Sequence, residues 1–127
     1  MMRITVIEYD ADAREADVLI TDGSFSIMCF APDCEELSYV ETLKSNGVLM
    51  TFLADNIHRV DAHECSVIKD ETGYYSYDLI GKSAENNTLV IGSIKIIVDK
   101  PFPGDIAVGE YVHISCVRVD CYYSEEY

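Results

Sequence analysis

Positive charge is what this chain has least of. Nine Lys and Arg stand against 23 Asp and Glu, a formal net charge of −14. Binding to a phosphate backbone draws most of its affinity from Lys and Arg displacing counterions, so a nucleic-acid partner is disfavoured. The deficit is spread out: residues 1–64 carry −9 and residues 65–127 carry −5, so no basic half is hidden. No run approaches the roughly 18 uncharged apolar residues of a membrane span, and Met1-Met2-Arg3-Ile4-Thr5-Val6-Ile7-Glu8 lacks the longer apolar region of a signal peptide. Five cysteines, an odd number, fit a reducing compartment better than a disulfide framework. The expectation is a cytoplasmic protein without a membrane partner. No linker, repeat or low-complexity run divides the 127 residues. One domain is expected over residues 1–121, with the acidic, tyrosine-rich end at 122–127 frayed.

What is present favours strands. The chain is 49% hydrophobic, enough for a core, and its 13 Ile and 12 Val outnumber its 7 Leu and 8 Ala. Branched side chains fit a pleated surface and are restricted in a helix. Asp22-Gly23 between two apolar runs predicts a tight hairpin. Glu71-Thr72-Gly73 and Glu85-Asn86-Asn87 separate further strands at residues 65–69, 74–82 and 88–98. Proline cannot donate to a ladder, so Pro101-Phe102-Pro103 ends that meander before a last strand over residues 111–121. Two strands shift their apolar parity, at Gly92-Ser93 and between Cys116 and Val117. A one-residue slip is what a β-bulge produces, and bulges coil a sheet. The fold expected is mainly β, a small coiled antiparallel barrel. One segment departs from it. Asp33-Cys34-Glu35-Glu36, then Leu37, Val40 and Leu43 at helical spacing and Lys44 in the last turn, predict a short helix over residues 33–44. The rival there is a strand leading to an Asn46-Gly47 turn.

The run Pro103-Gly104-Asp105-Ile106-Ala107-Val108-Gly109-Glu110-Tyr111-Val112, with residues 25–32, resembles OB-like small β-barrel domains of uncharacterised bacterial proteins. The resemblance covers about half the chain. It implies a fold and no activity, since such barrels host oligonucleotide, oligosaccharide and protein binding alike.

Three constellations could carry chemistry. The first is a Cys/His metal site using His63, Cys65, His113, Cys116 and Cys121, although no C-x2-C pair is present and only His63 and Cys65 share a strand face. The second is an aromatic surface of Tyr74, Tyr75 and Tyr77 for a stacking partner. The third is the acidic stretch Asp10, Asp12, Glu15 and Asp17. It resembles a calcium loop only superficially: Arg14 holds a ligand slot and Thr21 stands where the loop needs Glu, so it reads as a solvated turn. No G-x-S-x-G, P-loop or G-x-G-x-x-G occurs, and no catalytic residue or cofactor is assigned. The function expected is a non-catalytic binding or assembly module for a protein or small molecule, able to self-associate. The alternatives are a Cys/His metal protein and an acidic nucleic-acid mimic whose carboxylates occupy a basic protein's groove.

Overall fold

The computed structural model describes residues 3–10, 12–32, 47–71, 73 and 75–123. They form β1 (Arg3–Asp10), β2 (Glu15–Thr21), β3 (Ser26–Ala31), β4 (Gly47–Phe52), β5 (Asp55–Arg59), β6 (Ser66–Lys69), β7 (Tyr77–Ala84), β8 (Thr88–Ile91), β9 (Ile94–Ile97), β10 (Tyr111–Cys116) and β11 (Arg118–Tyr123). The chain is mainly β, with no helix among the described residues. The helix expected over residues 33–44 lies outside them.

The strands make one sheet in the order β1-β2-β3-β11-β4-β9-β8-β7-β10-β5, with β6 beside β7. All pairings are antiparallel except β3–β11 and β4–β9, each touching at one position, Phe30 with Asp120 and Met50 with Ile97. Among the described residues β1 and β5, the ends of this order, do not pair with each other. The period-2 pattern decides which residues enter the core. In β2 every second residue, Ala16, Val18 and Ile20, is buried, and Val112, Ile114 and Cys116 repeat this in β10.

Two near-continuous strands carry the chain across the molecule. β10 bends into β11 at Val117, and β4 bends into β5 at Leu53 and Ala54. The bends lie side by side, for the Val117 amide donates to the Phe52 carbonyl at 3.1 Å. Leu53 takes the left-handed φ of 54°, and Asp99 holds that corner. Its carboxylate accepts from the Leu53 amide at 2.9 Å, the Ala54 amide at 3.0 Å and the Thr51 hydroxyl at 2.6 Å. The parity shift read between Cys116 and Val117 is this bend: Val117 swings outward, and Val119 and Cys121 return to the core.

The shift at Gly92-Ser93 has a different origin from the bulge expected there. It is a tight turn that splits residues 88–98 into β8 and β9, with Ile91 opposite Ile94. Gly92 adopts a φ of +60°, which lets Leu89, Ile91, Ile94 and Ile96 all face inward. The turn is tied to the β2–β3 turn, where Asp22 accepts from the Ser93 amide at 2.8 Å. At the chain's end, β11 pairs Tyr122 with Val48 and Tyr123 with Gly47, so strand pairing enters the segment expected to fray. Residues 124–127 lie outside the described residues.

A candidate cation-binding cleft

Ile7 is an extra residue in β1, producing a bulge between Val6 and Glu8. Beyond it the register places Glu8 opposite Asp17 and Asp10 opposite Glu15. Directly opposed side chains share a face, and like charges so placed repel. The sequence thus sets two acid pairs against each other instead of the mixed pairs that would stabilise a hairpin. The Asp10 carboxylate also shapes the turn, accepting from the Asp12 amide at 3.0 Å and the Ala13 amide at 3.1 Å.

These four carboxylates line a cleft of about 220 Å³, walled also by Ala13, Ala16, Phe30 and Tyr75. None of its lining residues is basic. The aromatic wall is fixed. Phe30 and Tyr75 meet edge to face, their ring centroids 5.7 Å apart and their planes at 62°, and the Tyr75 hydroxyl donates to the Asp17 carboxylate. Phe30 lies in β3 and Tyr75 just before β7, strands far apart in the sheet order, so the wall forms only when the sheet folds over.

Phe30 also meets a cation of the chain itself. The Arg118 guanidinium carbon lies 4.8 Å from the Phe30 ring centroid and 4.1 Å from that of Phe52. Its Nε donates to Asp120 Oδ1 at 2.6 Å. A guanidinium against an aromatic face with a carboxylate at its edge combines cation–π attraction with a charge-assisted hydrogen bond. The neighbouring cleft offers the same two elements, aromatic rings and carboxylates.

The residues singled out from sequence are dispersed. Tyr75 lies in the cleft wall, Tyr77 is buried in the core with its hydroxyl accepting from the Met28 amide at 2.8 Å, and Tyr74 lies outside the described residues. Cys116 and Cys121 point into the core. Burial, the largest influence, pushes the Cys116 thiol up to about 12, and it raises the Cys29 thiol well above the usual range, with neighbouring Cys121 and Cys116 adding to the effect. His63 is exposed, and Cys65 Sγ lies 3.7 Å from the Val90 carbonyl. His113 faces outward, since residues 113 and 116 have opposite parity on one strand. Among the described residues no group of three or more His, Cys, Asp or Glu stands in a metal-holding arrangement.

Around His113 the structure assembles His58, Asp78 and Ser115, a grouping that no spacing in the sequence indicates. The Ser115 hydroxyl donates to Asp78 Oδ1 at 2.6 Å, and His113 Nε2 lies 3.1 Å from that same oxygen. A nucleophilic serine needs its hydroxyl on the base. Here the carboxylate stands between them, so the serine hydroxyl meets Asp78 and not the imidazole.

No helix of the described residues is long and apolar enough to cross a membrane. Compared with protein-family models, curated proteins and solved structures, the chain matches none.

Proposed function

We infer that this protein is a non-catalytic binding module that docks a basic protein partner, taking an Arg or Lys side chain into the cleft between β1, β2 and Phe30. The observation that carries this reading is the pairing of Glu8 with Asp17 and of Asp10 with Glu15 beside an aromatic wall. Opposed carboxylates repel, and a cation between them turns that repulsion into attraction. Phe30 and Tyr75 add a flat surface on which a guanidinium or ammonium gains cation–π energy, as Arg118 does next door. The acid excess of the whole chain steers such a partner toward the site.

The framework we propose is a coiled, OB-like barrel in a reducing, cytoplasmic setting. The pairings running from β11 through β4, β9, β8 and β7 to β10 support the barrel, because β10 and β11 are one bent strand and the circuit returns to its start. That Cys29, Cys65, Cys116 and Cys121 are not disulfide-bonded supports the compartment.

The test is fluorescence anisotropy with a labelled nona-arginine peptide. Glu15→Gln/Asp17→Asn should weaken binding about tenfold or more, and Asp61→Asn/Glu64→Gln, which removes the same charge at exposed positions elsewhere, should change it by less than about twofold. Equal losses from both pairs would reduce the interaction to net charge and overturn the assignment of the cleft.

A further inference from the structure

Where β4 bends into β5 and β10 into β11, two aliphatic side chains stand in solvent. Leu53 is 58% exposed and Val117 48% exposed, and the two bends are tied by the Val117 amide donating to the Phe52 carbonyl at 3.1 Å. Leu53 is held outward. Its φ of 54° lies in the left-handed region, which is costly for a leucine, and the Asp99 carboxylate fixes it through the Leu53 and Ala54 amides at 2.9 and 3.0 Å. A backbone that costs energy and displays apolar surface is what a binding surface retains.

Both side chains line a groove of about 440 Å³. Ser76 and Ser115 add hydroxyls to it, Asp55 and Asp70 add carboxylates, and none of its described lining residues is basic. Lys100, which does not line the groove, pairs with Asp55 at 3.7 Å, but both side chains are exposed and solvent screens the pair. Apolar and acidic groups in one groove fit an apolar side chain flanked by Lys or Arg. A second copy of this chain fits poorly. Each copy carries −14, and a two-fold dimer lays a patch against itself, so Asp55 and Asp70 would crowd against the same carboxylates of the other copy.

The groove adjoins the cleft at two places. Tyr75 of the cleft wall precedes Ser76 of the groove, whose hydroxyl donates to the Val117 carbonyl at 3.2 Å. Val117 of the groove precedes Arg118, whose guanidinium carbon lies 4.8 Å from the Phe30 ring centroid in the cleft wall. Resting on the reading of the cleft as the site of a basic side chain, we propose that this groove takes an aliphatic side chain of the same partner segment. The protein then reads a two-part motif, Arg or Lys joined to an apolar residue.

Two labelled peptides test this by fluorescence anisotropy. Each is nona-arginine extended at both ends through Gly-Ser-Gly, one ending in Leu-Leu and the other in Ala-Ala. The leucine peptide is expected to bind about fivefold or more tightly than the alanine peptide, and Leu53→Ser/Val117→Ser should abolish that advantage. Both positions are exposed, so the variant should keep the wild-type circular dichroism spectrum. Glu15→Gln/Asp17→Asn should weaken both peptides alike and leave their ratio unchanged. A loss of neither peptide in that variant, with the ratio kept, would refute the cleft and uphold the groove. Equal affinities for the two peptides in the wild type, or a leucine advantage that survives Leu53→Ser/Val117→Ser, would overturn the proposal. So would a concentration-dependent dimer in sedimentation that this variant removes, since a second copy would then occupy the groove.

Discussion

The hydroxyl of Tyr75 donates to the carboxylate of Asp17, 58 positions earlier in the chain. This contact joins the acidic hairpin of β1 and β2 to the aromatic wall and makes two distant segments one site. Its removal should loosen the cleft without unfolding the protein. Tyr75→Phe keeps the edge-to-face packing on Phe30 and loses only the hydrogen bond, worth about 1 kcal/mol. Tyr75→Leu loses the ring as well. Peptide affinity is expected to fall modestly in the first and further in the second, while both retain the wild-type circular dichroism spectrum.

Asp22 sets an acid limit on stability. Its carboxylate accepts from the amides of Ser93, Phe25 and Ser24, which lower its pKa from 3.8 to about 2, the Ser93 bond contributing most. A folded pKa below the unfolded one means stability that is fully present above about pH 4 and is lost as pH falls toward 2. Asp22→Asn should therefore lower Tm at neutral pH, and the gap to wild type should narrow between pH 4 and 2. A gap that does not change with pH would show that the charge on Asp22 contributes nothing.

The β4–β5 corner depends on Asp99. Asp99→Ala leaves the Leu53 and Ala54 amides and the buried Thr51 hydroxyl without their acceptor. Bonds to a carboxylate are worth more than neutral ones, but the residue is exposed, so the expected loss is about 1–2 kcal/mol. Urea denaturation should show a lower midpoint at unchanged slope. A double-mutant cycle with Thr51→Val should reveal coupling between the two positions.

Gly81 is fixed by space. A Cβ there would lie 2.6 Å from the Val90 carbonyl oxygen and 2.9 Å from Ile91 Cγ1. Gly81→Ala must push β8 away from β7, at a cost of about 1–3 kcal/mol. The measurement is again the denaturation midpoint, and a value equal to wild type would contradict the close β7–β8 approach.

Much of the framework could be read directly from the residues, because burial imposes a period of two. Ala16, Val18 and Ile20 recur at every second position, although Leu19 stands between the last two, and Asp22-Gly23 falls in the turn between β2 and β3, which spans Asp22–Phe25 and is longer than the tight hairpin expected. The same rule could not separate a bulge from a two-residue turn at Gly92-Ser93, since either leaves Leu89, Ile91, Ile94 and Ile96 on one side. The site was harder to see. Asp10, Glu15 and Asp17 read as a solvated turn, and their meaning depends on the bulge at Ile7, which brings Glu8 opposite Asp17, and on Phe30 and Tyr75 arriving from elsewhere. His58 could not be tied to His113 from the sequence, because its strand is short, polar and exposed, with a positive φ at Asn56 that breaks any alternation. The one hint available was the clustering of acids at residues 8–17 with only Arg14 to offset them.

The central claim is that the cleft between β1, β2 and Phe30 receives a basic side chain. The most direct measurement is a ¹H–¹⁵N correlation titration of the labelled protein with the nona-arginine peptide. The prediction is a saturable set of shifts centred on the amides of Glu8, Glu15, Asp17, Phe30 and Tyr75, suppressed by raising the salt concentration. Shifts scattered evenly over the acidic surface, or centred away from these residues, would contradict it.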